Sequence, residues 1–357
     1  MTPISICVIA KNEEKNIRTF LSSIQKSMGK YPYEIVLVDT GSTDCTREIA
    51  REFNVRLVSF KWINDFSAAR NFSISKASYK WILVFDCDEY ATHIETDCFE
   101  QMMQQYPSGV GLITRHNQCL SSAGERVYTD YVNRFFPKKK YHYEGIVHEQ
   151  LVAKNHQPYE MVTLPIEVNH VGYIGSQISL EQKATRDSAL LLEMLEQNPN
   201  DPYLYFQLGQ SATLTGDMKN AYRYYKKGLS FDINPELEYV RLMLLGYGES
   251  ALKLGYYKEV LEILENVLDD FDNTPEFSCL LGRAYRLNGQ YINAMKAFLK
   301  ATTYPSAAME GSNTYIPLYH MGYINEMLGD NASARKLYEN CGNYAPAKDR
   351  LAVLAGK

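Results

Sequence analysis

The first quarter of the chain alternates short apolar runs with stretches of helical period. Residues 4–10 read I-S-I-C-V-I-A, 34–39 E-I-V-L-V-D, 55–60 V-R-L-V-S-F and 81–86 W-I-L-V-F-D. Each run is six or seven residues long and rich in branched side chains, which predicts buried strands. Between the first two, Ile17, Phe20, Leu21, Ile24 and Met28 fall on one helical stripe, with Asn12, Glu13 and Glu14 as the expected cap and first-turn acids. G-S-T-D opens a second helix through Ile49, Ala50 and Phe53, and a third is expected from about Ser67 to Ala77. Apolar strands alternating with helices predict a parallel sheet covered on both faces.

From Ser179 the period becomes purely helical. Ser179 and Gln182 read as a capping box, and Ala189, Leu192 and Leu195 as the buried stripe of a helix stopping at Asn198-Pro199. Beyond it a repeat appears: glycines stand seven apart at 209/216, 248/255, 282/289 and 322/329. Twelve residues after each first glycine come Ala221, Val260, Ala294 and Ala334, and sixteen after it Tyr225, Leu264, Phe298 and Tyr338. A small residue lets a partner helix approach, and the large one fills the groove so made. The units are spaced 39, 34 and 40 residues apart, and the pattern resembles tetratricopeptide repeats, which stack because no unit buries its face alone. Two domains are therefore expected, residues 1–175 and 176–357.

Composition narrows the class. A formal charge of −5 argues against the basic face of a nucleic-acid-binding protein, and the basic run Lys138 to Lys140 reads as a solvated loop. No apolar stretch reaches the ~20 residues of a membrane span. The N-terminal M-T-P-I-S-I-C-V-I-A-K-N-E-E lacks the pattern of a signal peptide, and the seven scattered cysteines form neither a disulfide framework nor a zinc site. A cytoplasmic protein is expected. Most of the 28 tyrosines read as core, while some can line a concave peptide groove in the repeats.

The chemistry gathers at strand ends. In sheets of this kind, ligands bind beyond the carboxyl ends of the strands. Asp39 ends the second strand, Asp86 and Asp88 the fourth, and K-N-E-E follows the first. An isolated D-x-D is more often a solvated turn. At the end of a buried strand, on one rim with Asp39, the pair suits a hard divalent cation bridging carboxylates to phosphate oxygens. Neither G-x-G-x-x-G nor a P-loop is present.

K-N-E-E, V-D-T-G-S-T-D, N-D-F-S-A-A-R-N-F and F-D-C-D-E, in that order, resemble the family 2 glycosyltransferases of GT-A fold, over about residues 4–175. V-N-R-F-F (132–136), Y-H-Y-E-G-I-V-H-E-Q-L (141–151) and V-N-H-V-G-Y (168–173) resemble a narrower branch, the sublancin-type peptide S-glycosyltransferases, which also carry helical repeats. The resemblance implies a uridine diphosphate sugar as donor, with Mg²⁺ or Mn²⁺. It implies a donor site drawn from Ala10, Asn12 and Glu13 after the first strand and Asp39 and Ser42 after the second. Arg70 and Asn71 would lie near the nucleotide, with Arg70 a partner for donor charge. Asp86, Cys87 and Asp88 would close the site, with Asp86 and Asp88 as metal candidates. Glu149 and His148 are the available pair for the general base of an inverting transfer, with Glu149 favoured. His170 either completes the metal shell or touches the diphosphate. Glu89 reads as a cap or as support for its neighbours.

The leading expectation is thus an inverting, metal-dependent enzyme that moves a hexose, with glucose preferred, onto a Cys or Ser side chain of a bacteriocin-like peptide. The repeats would hold the acceptor or pair two subunits as a homodimer. A cell-envelope saccharide or lipid-linked acceptor, and a catalytically inactive repeat adaptor, are the alternatives.

Overall fold

The computed structural model describes residues 1–121, 124–173 and 177–356. The chain divides into two compact units, one of Met1–Cys119 with Thr129–Gly175 and one of Leu120–Tyr128 with Ser176–Lys357.

The first unit is built on β1 (Ile4–Ala10), α1 (Ile17–Met28), β2 (Tyr33–Asp39), α2 (Thr46–Ala50), β3 (Arg56–Ser59), α3 (Phe66–Lys76) and β4 (Trp81–Asp86). It continues through β5 (Glu89–Ile94), α4 (Asp97–Gln105), β6 (Val110–Ser121), β7 (Gly124–Pro137), β8 (Tyr141–Glu144), β9 (Gln150–Ala153) and β10 (Met161–Tyr173). The main sheet runs β3-β2-β1-β4-β7-β6-β10-β5, and β8 pairs with β9 in a separate ribbon. β3, β2, β1 and β4 are parallel, as alternation predicts. Beyond β4 the sheet turns mixed, because β7 runs antiparallel to β4 and β5 antiparallel to β10. The parallel sheet expected of the first four strands is thus present, as one half of a larger mixed sheet. The long hairpin strands β6 and β7 follow each other without a crossover helix, and so must pair in opposite directions.

Alternation along each strand assigns the two faces. Ile4, Ile6 and Val8 of β1 and Leu83 and Phe85 of β4 pack with Ile17, Phe20, Leu21 and Ile24 of α1, all fully buried. Burying each such side chain is worth about 1.5–3 kcal/mol. Cys7, Val36, Val38, Ile82 and Val84 face the other way, against Ile74 and Ala77 at the end of α3. Asp86 continues the side of Ile82 and Val84, and so is delivered toward α3. Asp65 caps α3 by accepting from Ala68 N–H, while α1 begins after Asn16. The expected cap by Asn12 is not made: Asn12 adopts φ 56°, outside helical geometry.

The second unit holds α5 (Gln177–Gln197), then α6 (Pro202–Leu214) with α7 (Met218–Gly228) and α8 (Glu238–Lys253) with α9 (Tyr257–Asn266). The short α10 (Leu268–Phe271) precedes α11 (Pro275–Leu287) with α12 (Tyr291–Ala301), α13 (Tyr315–Met327) with α14 (Asn331–Glu339), and α15 (Ala345–Ala355). Ala221, Val260, Ala294 and Ala334 are fully buried. A Cβ on Gly282 would stand 2.7 Å from the Phe298 ring, and one on Gly322 2.8 Å from Tyr338; Gly209 meets Tyr225 in the same way. Gly248 departs from the pattern. Its neighbour is Leu280 of α11, at 2.5 Å from a built Cβ, where the spacing points to Leu264. The second glycine of each pair turns the chain between helices at positive φ, 76–88°. Among the described side chains of α5, Ala184, Asp187 and Leu191 are buried, whereas Leu192 of the expected stripe is 44% exposed. The side chains of the Ser179–Gln182 capping box lie outside the described residues. No described helix is long and apolar enough to cross a membrane.

Candidate active site

The loops after β1 and β2 are stitched together. Asn12 N–H donates to Ser42 Oγ (2.9 Å) and the Asn12 side-chain oxygen accepts from Thr43 N–H (2.8 Å). Glu13 N–H donates to Thr46 Oγ1 (2.6 Å), and the Glu14 carboxylate accepts from Cys45 N–H (3.2 Å). Between them Asp39, 2% exposed, accepts from the N–H of Gly41 and Ser42. The carbonyl of Ala10 holds the other loop by accepting from Thr40 N–H at 2.9 Å. Ala10, Asn12, Glu13, Asp39 and Ser42 are therefore brought together at the ends of β1 and β2.

At the end of β4, Asp86 is bridged by two guanidiniums. Arg70 Nη2 donates to Oδ1 at 2.7 Å, and Arg134 Nη2 to Oδ2 at 2.9 Å. Arg70 also donates through Nε to Glu149, and its guanidinium lies 5.5 Å from the centre of the Tyr143 ring. Arg134 reaches Glu89 at 2.5 Å, and Glu89 in turn accepts from Asp86 N–H at 3.0 Å. Burial by itself would raise the Asp86 carboxyl, but the charges of Arg70 and Arg134 overcome it and hold it well below the usual carboxylate range. Burial would likewise lower Arg70, and Asp86 with Glu149 reverses that. Tyr143 is pushed up to about 12, by burial first and despite Arg134 and Arg70.

Asp88 and His170 meet separately, Nε2 to Oδ2 at 3.3 Å. His170 is positioned by β10, where it stands opposite Asn117 of β6, and Asp88 by its carbonyl, which accepts from Val171 N–H at 3.0 Å. Among the described residues, no group of three or more His, Cys, Asp or Glu is arranged to hold a metal. Of the expected metal set, Asp88 and His170 approach each other, and both oxygens of Asp86 are engaged by arginines. A more borderline ion such as Mn²⁺ accepts imidazole beside carboxylate and keeps waters and substrate phosphates as further ligands, so Asp88 and His170 fit it as partial protein ligands.

The remaining expected residues fall as follows. Glu149 joins Arg70. His148 adopts φ 50°, a strained backbone for a non-glycine residue and of the sort that clusters at functional sites. The Asn71 amide both donates to the Tyr143 carbonyl (2.8 Å) and accepts from its N–H (2.9 Å), so it fastens β8 to α3. Cys87 is buried in the core on the α1 side, and burial together with Glu13 and Asp88 raises its thiol far above the ordinary range. Arg134, Asn117, Arg115 and Asp130 have no role in the sequence reading. The one signal for Arg134 is a charged residue beside two phenylalanines in V-N-R-F-F, on a strand whose alternation turns it inward.

Residues 5–143 match the family described as Glycosyl transferase family 2, and residues 202–232 and 275–307 match Tetratricopeptide repeat. A TPR repeat-containing protein of Synechococcus elongatus is 30% identical over 233 residues, 64% of this chain and 57% of that one. The SPbeta prophage-derived glycosyltransferase SunS of Bacillus subtilis is 28% identical over 235 residues, 64% of this chain and 54% of that one. The chain thus spans a little over half the length of these curated relatives. Among solved structures, MamA from Desulfovibrio magneticus RS-1 aligns with 49% of this chain and 98% of its own, at 21% identity and a TM-score of 0.39.

Proposed function

We propose that this chain, which carries a family 2 glycosyltransferase domain and tetratricopeptide repeats, transfers a sugar from a uridine diphosphate donor to a Cys or Ser side chain of a polypeptide, with inversion. The observation that carries the proposal is the rim at the strand ends: Asp39 with its loop amides, Asp86 between Arg70 and Arg134, and Asp88 facing His170. The SunS likeness supports the donor chemistry, and the repeats support a polypeptide acceptor.

In this reading Asp39 accepts hydrogen bonds from the uracil or ribose edge while its own loop amides hold it in place. Asp88 and His170 would hold Mg²⁺ or Mn²⁺, which supplies counter-charge to the departing diphosphate. Arg70 and Arg134 keep Asp86 ionised and fixed, and it orients the donor sugar or ribose. Arg70 also adds positive charge near the donor. Glu149 takes the acceptor's proton as its sulfur or oxygen forms a bond to the anomeric carbon and the carbon–diphosphate bond breaks. A thiol eases that step, since its reference pKa is ~8.5.

The test is a panel of nucleotide sugars with Mn²⁺ or Mg²⁺ and Cys- or Ser-containing peptides, read by mass. A hexose added to a peptide is expected. The absence of both transfer and donor hydrolysis under every combination would overturn the proposal.

A further inference from the structure

We infer that Arg286, where α11 meets α13, anchors an Asp or Glu side chain of the polypeptide acceptor, so that the repeats select an acidic segment. The inference rests on the polypeptide acceptor proposed above and adds the charge of the segment that is held.

The repeat spacing puts the relevant residues in two rows. One position past the first glycine of each unit stand Gln210, Glu249, Arg283 and Tyr323; four past it stand Thr213, Leu252, Arg286 and Glu326. Positions three apart on a helix share a face. Most charges in these rows are matched within the chain. Arg283 donates to Glu249 of the preceding unit. Glu326 accepts from Arg350 of α15 through both oxygens, and from the Tyr338 hydroxyl at 3.0 Å.

Arg286 is left over. The acid that follows it by one unit, Glu326, is already held by Arg350. Among the described residues no carboxylate pairs with Arg286, and its Nε is buried without an acceptor. Its guanidinium rests 5.1 Å from the centre of the Tyr323 ring, and Arg350 lies 5.9 Å from the same centre. One ring therefore serves two cations. Burial lowers the pKa of Arg286 and Arg283 lowers it further, against the pull of Tyr323. A half-buried cation without counter-charge is unfavourable. That it stands so in a chain with 42 acids and 37 bases points to an anion supplied from outside.

The chemistry of the spot selects the anion. A guanidinium presents parallel N–H groups that match a carboxylate, and Arg with Tyr is the pairing that carries binding energy at protein surfaces. A doubly charged phosphate calls for a cluster of free arginines, whereas Arg283 and Arg350 are engaged. A chain terminus is captured by free backbone N–H groups, and those of Arg286 and Tyr323 lie inside helices. A side-chain carboxylate remains.

The test probes an array of immobilised peptides with the labelled full chain. Each peptide carries a central Cys or Ser and varies at the flanking positions, with free and amidated C-termini in parallel. Wild type is expected to favour peptides with Asp or Glu at one flanking position about tenfold or more over their Asn or Gln counterparts. Arg286→Met should lose that preference and Arg286→Glu should turn it toward Lys and Arg, both keeping the wild-type circular dichroism. Bound peptides without an acidic preference, or a preference unchanged in both variants, overturn the inference while leaving the polypeptide reading intact; the wild-type result decides even if a variant does not fold. Binding lost on amidation overturns the side-chain assignment in favour of a chain terminus. No peptide bound, of any composition, defeats the polypeptide reading and the inference with it.

Discussion

Replacing Arg134 with Met tests the charge bridge beneath the rim. Arg134 and Glu89 are 6% and 0% exposed, and the substitution removes the 2.5 Å contact to Glu89 and the 2.9 Å contact to Asp86. Removing one partner of a buried ion pair costs about 3–5 kcal/mol, because the other charge stays buried without compensation. Neither carboxylate is stranded completely here. Asp86 keeps Arg70 at 2.7 Å, and Glu89 keeps Arg115 at 3.4 Å and the N–H of Asp86 at 3.0 Å. The expected loss therefore sits at the low end, about 3 kcal/mol. Adding Glu89→Gln neutralises one of the buried charges left uncompensated, so the double variant should be at least about 1 kcal/mol more stable than the sum of the single effects. Urea unfolding followed by tryptophan fluorescence suits the purpose, since both tryptophans, Trp62 and Trp81, lie in the first unit. A shift of midpoint at constant slope reports stability. An Arg134→Met cost below about 1 kcal/mol, or strict additivity in the double variant, would refute the bridge.

Gly282→Ala should destabilise the repeats by up to about 2 kcal/mol: overpacking costs about 1–3 kcal/mol, set against about 1 kcal/mol of helix propensity. The new Cβ would stand 2.7 Å from the Phe298 ring, and a raised melting temperature by circular dichroism would contradict this. His320 stacks on Phe298 at 5.0 Å, and burial, then Arg283 and Arg286, push its pKa down to about 3. The unfolded imidazole, near 6.5, binds the proton more tightly, so this contribution to stability is full above about pH 6.5 and is lost as pH falls toward 3. The slope should approach about 1 kcal/mol per pH unit, and His320→Phe should flatten it in urea midpoints compared near pH 7 and pH 5. An equally steep profile in that variant would remove His320 as the cause. Asp39→Ala should weaken UDP binding about tenfold or more by calorimetry, since a hydrogen bond to a charged group is worth about 1.5–3 kcal/mol; unchanged affinity would take Asp39 out of the donor site.

Local periodicity carried much of the fold. The four parallel strands and the α1 stripe are legible because each is a run of apolar residues at one period. The glycine pairs are legible because steric need recurs at fixed spacing: three of the four first glycines face the large residue sixteen positions on. Gly248 departs because Leu280 of the following unit reaches it first, a packing choice made between units. In α5, period alone offers more than one apolar stripe, and only the partner helices select Ala184 and Leu191 over Leu192. The same limit applies at the rim. Asp86 at a strand end, Glu149 in a loop and Arg70 on a helix beside the expected cleft are identifiable by type and position. Arg134 and Asn117 act through partners 48 and 53 residues away, which only the pairing of β7, β6 and β10 brings within reach. Asn12 reads as a cap because Asn followed by two Glu is a helix-start pattern; the neighbouring Ser42 and Thr43, from another loop, take its hydrogen bonds instead.

The most direct test of the central claim is calorimetric binding of UDP with and without Mn²⁺, in wild type and in Asp88→Ala. Binding that requires Mn²⁺ in wild type and vanishes in Asp88→Ala, with tryptophan fluorescence unchanged, is the predicted result. UDP bound equally well without metal, or equally well by the variant, would contradict it.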